Sequence, residues 1–234
     1  MVEKNDVQGK NKLLSFLPPD EIDRLEPHLE DFALEFKFVI YETGGMIADL
    51  YFPRSGVISL VTVMQNGDQL EIATVGNEGM VGLPVFLGSN TSPIRTICQI
   101  PGRAWRIDAN LFREHINQPK LHDILNRYSQ ALFTQVAQGN ACNNAHNIQQ
   151  RCARWLLTTH DRVDSDEFPL TQEFLSQMLG TRRASVNEAS ARFQQSGMIT
   201  YKQGRIKILN RSALEATSCE CYHTIKNEYE RLLD

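Results

Sequence analysis

The sequence predicts an α+β fold in three parts: an N-terminal antiparallel β-roll of jelly-roll type, a long central helix, and a C-terminal winged helix-turn-helix. Three observations carry this reading. From Phe32 to Ile107, β-branched and aromatic runs (DLYFP, GVISLVTVM, QLEIATV, IRTICQI) alternate with Gly, Pro and Asn. After Pro119 the apolar residues take up a helical period. Residues 170–193, LTQEFLSQMLGTRRASVNEASARF, read as two short helices joined at a glycine. The expected divisions are 1–118 for the roll with its helical lead-in, 119–145 for the central helix and 146–234 for the second domain.

The first dozen residues are polar and are expected to fray. LLSFLPPDEIDRLEPHLE then predicts two helical pieces, the first broken by Pro18 and Pro19 and the second capped by Asp20. In the roll, the hairpin GVISLVTVM-QNGD-QLEIATV places Asn66-Gly67 where a tight primed turn demands positive φ. Along its first strand Ile58, Leu60, Thr62 and Met64 share one face, and Val57, Ser59, Val61 and Val63 the other. Both faces are largely apolar, so the strand is expected between two layers.

In the central helix Leu121, Leu125, Tyr128, Leu132 and Val136 form one stripe. It is flanked by uncharged polar residues (Gln130, Gln135, Gln138, Asn140, Asn143, Asn144), a pattern that predicts burial against the same helix of a second chain. Packing on the chain's own roll is the alternative. The next helix, from Asn147 to Val163, turns Ile148, Cys152, Trp155 and Leu156 to one side and is closed by the charged loop DSDEF. Thr171 is expected to cap the following helix, Gly180 to make the turn, and Thr181 to cap the helix after that. MITYKQGRIKIL predicts a hairpin around Gly204, and a helical tail follows from about Ser212.

The charge pattern is uneven. The chain of 234 residues carries 24 Lys plus Arg against 28 Asp plus Glu, a net charge of -4, which argues against a general polyanion binder. Yet between Thr181 and Arg211 the basic residues are Arg182, Arg183, Arg192, Lys202, Arg205, Lys207 and Arg211, and the only acid is Glu188. Arginine in a first helical turn opposes the macrodipole, so helix stability does not account for Arg182 and Arg183, whereas phosphate or guanine does. Val186, Ala189 and Phe193 would seat the second helix on its domain, leaving Ala184, Ser185, Glu188 and Ala191 facing away, small enough to approach a groove floor. Lys202, Arg205 and Lys207 would form a wing on the neighbouring backbone.

With LTQEFLSQMLGTRRASV followed by SGMITY, and with its roll and long helix, nearly the whole chain resembles the bacterial family of cyclic-AMP receptor protein and fumarate-nitrate reductase regulators. The resemblance implies a cyclic-nucleotide-binding-like roll, a homodimer joined along the central helix, a roughly palindromic double-stranded DNA site, and contact with RNA polymerase. It places Arg183, Ala184 and Glu188 at base-reading positions and Gln172, Arg182 and Ser185 near phosphates. A cyclic-AMP-binding member holds the ribose with a Gly-Glu pair and the phosphate with an Arg followed by a small hydroxyl residue. This chain keeps Gly82, Arg95 and Thr96 but has Leu83 in place of the carboxylate, so cyclic AMP is not the expected effector. Arg95 is left to bind another anion or to pair with Glu78 or Glu71. The N-terminal cysteine cluster of the iron–sulfur sensors is missing.

Other chemistries are weaker. Cys219, Cys221 and His223 spell C-x-C-x-H, but on a helix residues two apart diverge and a fourth ligand is lacking; Cys142 and His146 stand four apart on a helix with nothing else near in sequence. Packing is favoured for both, and no metal or other cofactor is expected. A β-barrel metalloenzyme is disfavoured because residues 32–107 contain no histidine, and neither a phosphate loop nor a nucleophile elbow occurs. A module that senses an anion or nucleotide and controls a protein partner remains the alternative to a DNA-binding regulator. The five cysteines, odd in number and scattered, suit free thiols in a reducing compartment. With no signal peptide or apolar span, a cytoplasmic protein without membrane contact is expected.

Overall fold

The computed structural model describes residues 10–233. The lead-in contains helices α1 (Lys12–Ser15) and α2 (Pro19–Leu25) and a single 3-10 turn, Glu26–His28. The roll follows with β1 (Glu30–Leu34), β2 (Val39–Tyr41), β3 (Asp49–Pro53), β4 (Val57–Val63), β5 (Gln69–Val75), a short α3 (Leu83–Phe86), β6 (Arg95–Ile100), β7 (Gly102–Asp108) and α4 (Ala109–His115). All its pairings are antiparallel, in two sheets ordered β1-β7-β3 and β2-β6-β4-β5. The long α5 spans Pro119–Ala145. Beyond it lie α6 (Ile148–His160), β8 (Glu167–Pro169), α7 (Gln172–Met178), α8 (Arg183–Gln195), β9 (Ile199–Lys202), β10 (Arg205–Ile208), α9 (Arg211–Thr217) and α10 (Cys221–Leu233). The wing is a three-stranded sheet ordered β8-β10-β9, in which β8 adds a strand to the expected hairpin.

Strand β4 is buried on both faces, as its double apolar pattern required. Ile58 and Leu60 belong to the interior of the roll. Val57 and Val61, with Ile97 and Ile100 of β6, pack instead into a second core shared with Trp155, Phe174, Val186 and Phe193. The roll and the C-terminal domain therefore meet across a sheet rather than along a tether.

Local expectations hold unevenly. The frayed start falls largely on residues outside those described, but Asn11 is buried, accepting from Leu14 N at 3.2 Å and donating to Pro53 O and Gly79 O at 2.8 and 2.9 Å. Asp20 does not cap α2: Pro18 is the N-cap and Pro19 the first helical residue, a position that needs no N–H partner. The β4–β5 turn is not the primed two-residue type. Gly67 donates to Met64 O at 2.9 Å with φ +87, and Met64 donates to Asp68 O, so a three-residue loop ends on one left-handed glycine. The primed geometry occurs in the wing, where Gln203 and Gly204 both have positive φ between the paired Lys202 and Arg205.

The stripe on α5 requires a correction. Leu121, Leu125 and Tyr128, expected at a dimer interface, have no exposed surface because they fill the roll's own core, and Leu132 and Val136 lie half-buried against it. Tyr128 donates to Met80 O at 2.9 Å, and its ring lies where a side chain on Gly79 would stand. The helix start is capped from a distance: Glu21 accepts from Lys120 N and Leu121 N, both at 2.9 Å. The tail also departs from the expected division at 146–234. Helix α10 runs back onto α5, and its Ile225, Tyr229 and Leu233 join the core of the roll.

Leu125→Ala should therefore destabilise the fold by about 2 to 5 kcal/mol in urea titration, through a cavity in a single chain, while leaving sedimentation behaviour unchanged. Undiminished stability with loss of a dimer would restore the original interface assignment.

Candidate nucleic-acid interface and sensor pocket

Thr171 caps α7 as expected, accepting from Phe174 N at 3.1 Å. Gly180, at φ +57, makes the turn, and a Cβ there would stand 2.3 Å from Leu70 Cδ2. Thr181 does not cap α8. The N-cap is Arg182, whose side chain makes no capping bond, and Arg183 is the first helical residue. On α8 Val186, Ala189 and Phe193 are buried, joined by Ser190, while Arg182, Arg183, Ala184, Glu188 and Ala191 are exposed and Ser185 is half-buried. Gln172 is half-buried at the start of α7, and Lys202, Arg205 and Lys207 are exposed on the wing.

The basic surface is partly neutralised by acids that the sequence places outside its window. Glu173 lies 3.7 Å from Arg183, and Glu167 lies 2.5 Å from Arg205. Within the window Glu188 pairs with Arg192 at 2.7 Å. Arg211 is structural: it donates to Asp161 and Glu215 at 2.6 and 2.8 Å and to the Tyr222 hydroxyl. A cleft separates the tip of the β4–β5 hairpin, at Gly67, Asp68 and Leu70, from Arg182 and Arg183.

The expected sensor residues come together only in part. Gly82, Leu83 and Thr96 line a cavity of about 170 Å³ with Tyr41, Leu87 and Leu132. That is below the ~300 Å³ at which small-molecule sites begin, and the lining is almost wholly apolar. Arg95 is not among the lining residues; it pairs with Glu42 at 3.3 Å, and not with Glu78 or Glu71. Gly82 has φ +104, and a Cβ there would press on Leu50 and Tyr41, which explains the glycine without a ribose.

A larger cavity, about 360 Å³, lies where β5, α5 and α6 converge and is lined by Glu71, Thr74, Gln135, Arg154 and Trp155 among others. Sequence reasoning missed it because its walls come from three separate stretches. Glu71 is half-buried there, accepting from Trp155 Nε1 and Ser59 Oγ, both at 2.7 Å. Burial pushes its carboxyl up to about 7 from an ordinary value near 4.5, against the opposing pull of these hydrogen bonds. Glu78 instead holds Arg162 at 2.8 Å, and Arg162 also donates to Thr74 Oγ1 at 2.6 Å. Among the cysteines, all free, the structure gathers Cys142, Cys219 and Cys221 with His146; His223 meets the Tyr222 ring edge-to-face instead.

Comparison with known proteins places this geometry in a class: regulators that join a cyclic-nucleotide-binding fold to a helix-turn-helix. A family model described as the cyclic nucleotide-binding domain matches residues 37–118, and one described as the Crp-like helix-turn-helix domain matches residues 150–217. The chain belongs to the Crp/Fnr family, whose members are transcription regulators and not enzymes. Among solved structures, FixK2 from Bradyrhizobium japonicum is similar with a TM-score of 0.70 at 13% identity, over 82% of this chain and 98% of that one. A CRP-family transcriptional regulator from Thermus thermophilus gives 0.68 at 18% identity, over 80% and 96%. A Crp/Fnr-family regulator from Eubacterium rectale gives 0.64 at 17%, over 88% and 96%. A comparison by sequence with curated proteins gave no match. Among the described residues no helix is long and apolar enough to cross a membrane.

The Glu71 carboxyl has a signed consequence. Below about pH 4.5 it is protonated folded and unfolded alike; between there and about 7 the unfolded chain loses its proton while the folded chain keeps it, so stability falls as pH rises through that window. Glu71→Gln should flatten this slope in urea midpoints measured across the window, and an unchanged slope would remove Glu71 as its source.

Proposed function

We propose that the chain is a homodimeric, sequence-specific DNA-binding transcription regulator of the cytoplasm, whose roll controls the placement of its winged helix-turn-helix. The observation that carries the reading is the start of α8: an exposed helix end without a side-chain cap, with Arg182 and Arg183 at its mouth. Such an end offers unpaired N–H groups and positive potential to a phosphate, and the two guanidinium groups extend it. Arg183, Ala184 and Glu188 read bases; Gln172, Arg182, Ser185, Lys202, Arg205 and Lys207 hold the backbone. Glu173 and Glu167, paired to Arg183 and Arg205, must yield those partners to DNA.

With the original stripe buried, the self-association face of α5 is the opposite one. Asn126, Gln130, Phe133, Ala137, Asn140 and Asn144 are all exposed and follow one another at steps of four and three, the spacing of a coiled-coil seam. Phe133 is 68% exposed and is the natural knob. Leu132, next to it, lines the small cavity of the roll, so a ligand there would touch the helix that joins the subunits.

The small apolar cavity and the Arg95–Glu42 pair support an effector other than cyclic AMP, or none. The hairpin tip beside Arg182 supports control by a shift between two placements of the C-terminal domain, one of which frees α8 for a major groove. Contact with RNA polymerase belongs to this proposal. A module acting on a protein partner alone would need no such basic helix end.

Binding-site selection followed by fluorescence titration tests the reading. A palindromic site should emerge, with affinity falling steeply as salt rises. Arg183→Ala should cost about 1 to 3 kcal/mol on that site and relax one base position, whereas Lys202→Ala should weaken specific and random DNA alike. Equal losses on both DNAs for both variants would remove the base-reading role of Arg183. Phe133→Asp should yield a folded monomer in sedimentation that no longer binds the palindrome.

A further inference from the structure

We propose that Cys142, His146, Cys219 and Cys221 form a binding site for one zinc ion. Their ligand atoms all lie within 4.8 Å of one another, with Cys142 Sγ 3.4 Å from Cys219 Sγ and Cys221 Sγ 3.6 Å from His146 Nδ1. A tetrahedral zinc bound by sulfur at ~2.3 Å and nitrogen at ~2.0 Å has ligand-to-ligand edges of roughly 3.5 to 3.8 Å, so these side chains need only small adjustments to enclose the ion.

The backbone explains why the four converge. Cys142 and His146 are one helical turn apart at the end of α5, His146 being its C-cap, and so share a face. Cys219 lies in the non-helical bend between α9 and α10, and Cys221 is the first residue of α10. The assumption that residues two apart must diverge fails because the pair straddles a helix start. His223, inside the helix, diverges as that assumption requires.

The surroundings are those of a metal site. Glu220 Oε2 lies 3.2 Å from His146 Nε2, on the side of the ring away from the sulfurs, which orients the imidazole and leaves Nδ1 for the metal. Gln138 Nε2 donates to Cys221 Sγ at 3.1 Å, a bond that strengthens when the sulfur is a thiolate. Packing does not account for the group: Cys142, Cys219 and Cys221 form a buried cluster of cysteines alone, separate from both cores, whereas Cys152 sits in the core of the C-terminal domain and Cys98 in that of the roll. Three sulfurs and one nitrogen match a closed tetrahedral site, and the atoms are too close together to surround an iron–sulfur cluster.

Binding would replace the thiol protons, released to solvent, with three zinc–sulfur bonds and one zinc–nitrogen bond. With four protein ligands no position stays open for substrate, so the role is structural or sensory. The ion would tie the end of α5 to the root of α10 beside Asn147, the cap from which the DNA-binding domain begins.

The test is elemental analysis of the full chain purified with reductant and without chelator. We expect one zinc per chain, lost in Cys142→Ser and in Cys219→Ser but retained in His223→Ala and Cys152→Ala. Should the serine variants fail to fold, cobalt titration of the metal-stripped native chain reports the same site through tetrahedral visible bands and thiolate charge transfer, reversed by zinc. A reduced chain that binds neither metal would overturn the proposal. So would zinc retained at full occupancy by both serine variants, stoichiometric iron with acid-labile sulfide, or a Cys142–Cys219 disulfide in a protein whose reduced form has no zinc affinity.

Discussion

The arrangement of this molecule depends on one strand, β4, having no solvent face along most of its length. A strand that hides Ile58 and Leu60 on one side and Val57 and Val61 on the other cannot be the outer wall of a roll; it obliges another body to cover it. That body is the C-terminal domain. Fully burying each such side chain contributes roughly 1.5 to 3 kcal/mol, so separating the domains carries an apolar cost that any rearrangement for DNA must offset. Set into the same contact is the polar triad of Ser59, Glu71 and Trp155. A half-buried carboxyl held by two donors resists displacement, because moving Trp155 away removes one of them. The apolar faces hold the domains together, and the triad fixes their register.

Helix α5 is the second member of the coupling, and it is seated by contacts remote in sequence. Glu21 closes its first turn, Tyr128 fits over Gly79, and Gln135 donates to Thr74 O at 3.2 Å while accepting from Tyr229 Oη at 2.8 Å. Thr74 also receives Arg162. One residue of β5 is thus held by the central helix, the final helix through Gln135, and the turn that follows the first helix of the DNA-binding domain. A displacement of β5 would disturb all three, and the hairpin that ends in β5 carries Leu70 on Gly180. This continuity makes a roll that governs DNA binding physically intelligible.

What was legible in the sequence followed from period and turn chemistry. The double face of β4, the length of α5, the Thr171 cap and the glycine turn at Gly180 are local patterns, and each appears where its residues stand. The failures share a cause in partners distant along the chain. The α5 stripe fits a second chain as well as its own roll in sequence, which does not say which apolar surface is nearer, and the chain's own roll takes Leu121 and Leu125. Asp20 and Thr181 are good caps in isolation, yet Pro18 and Arg182 hold those positions. Arg95 found Glu42 rather than Glu78, since Glu78 was taken by Arg162, 84 residues away.

The basic face shows the same principle in electrostatic form. Counted along the chain, residues 181–211 are almost free of acid; in space, Glu173 approaches Arg183, Glu167 approaches Arg205, and Asp161 and Glu215 both approach Arg211. The exposed pairs at Arg183 and Arg205 are each worth little in water, ~0 to 1 kcal/mol, so exchanging a carboxylate for a phosphate costs little. They lower the local positive charge of the helix end, in keeping with an overall acidic chain. Arg211 is held differently, by Asp161, Glu215 and Tyr222 together at the junction of α6, α9 and α10, and that network is not given up cheaply. The surface therefore divides by the cost of release: the arginines with single exposed partners are the ones the proposed regulator can give to DNA, and the arginine with several converging partners holds the domain that presents them.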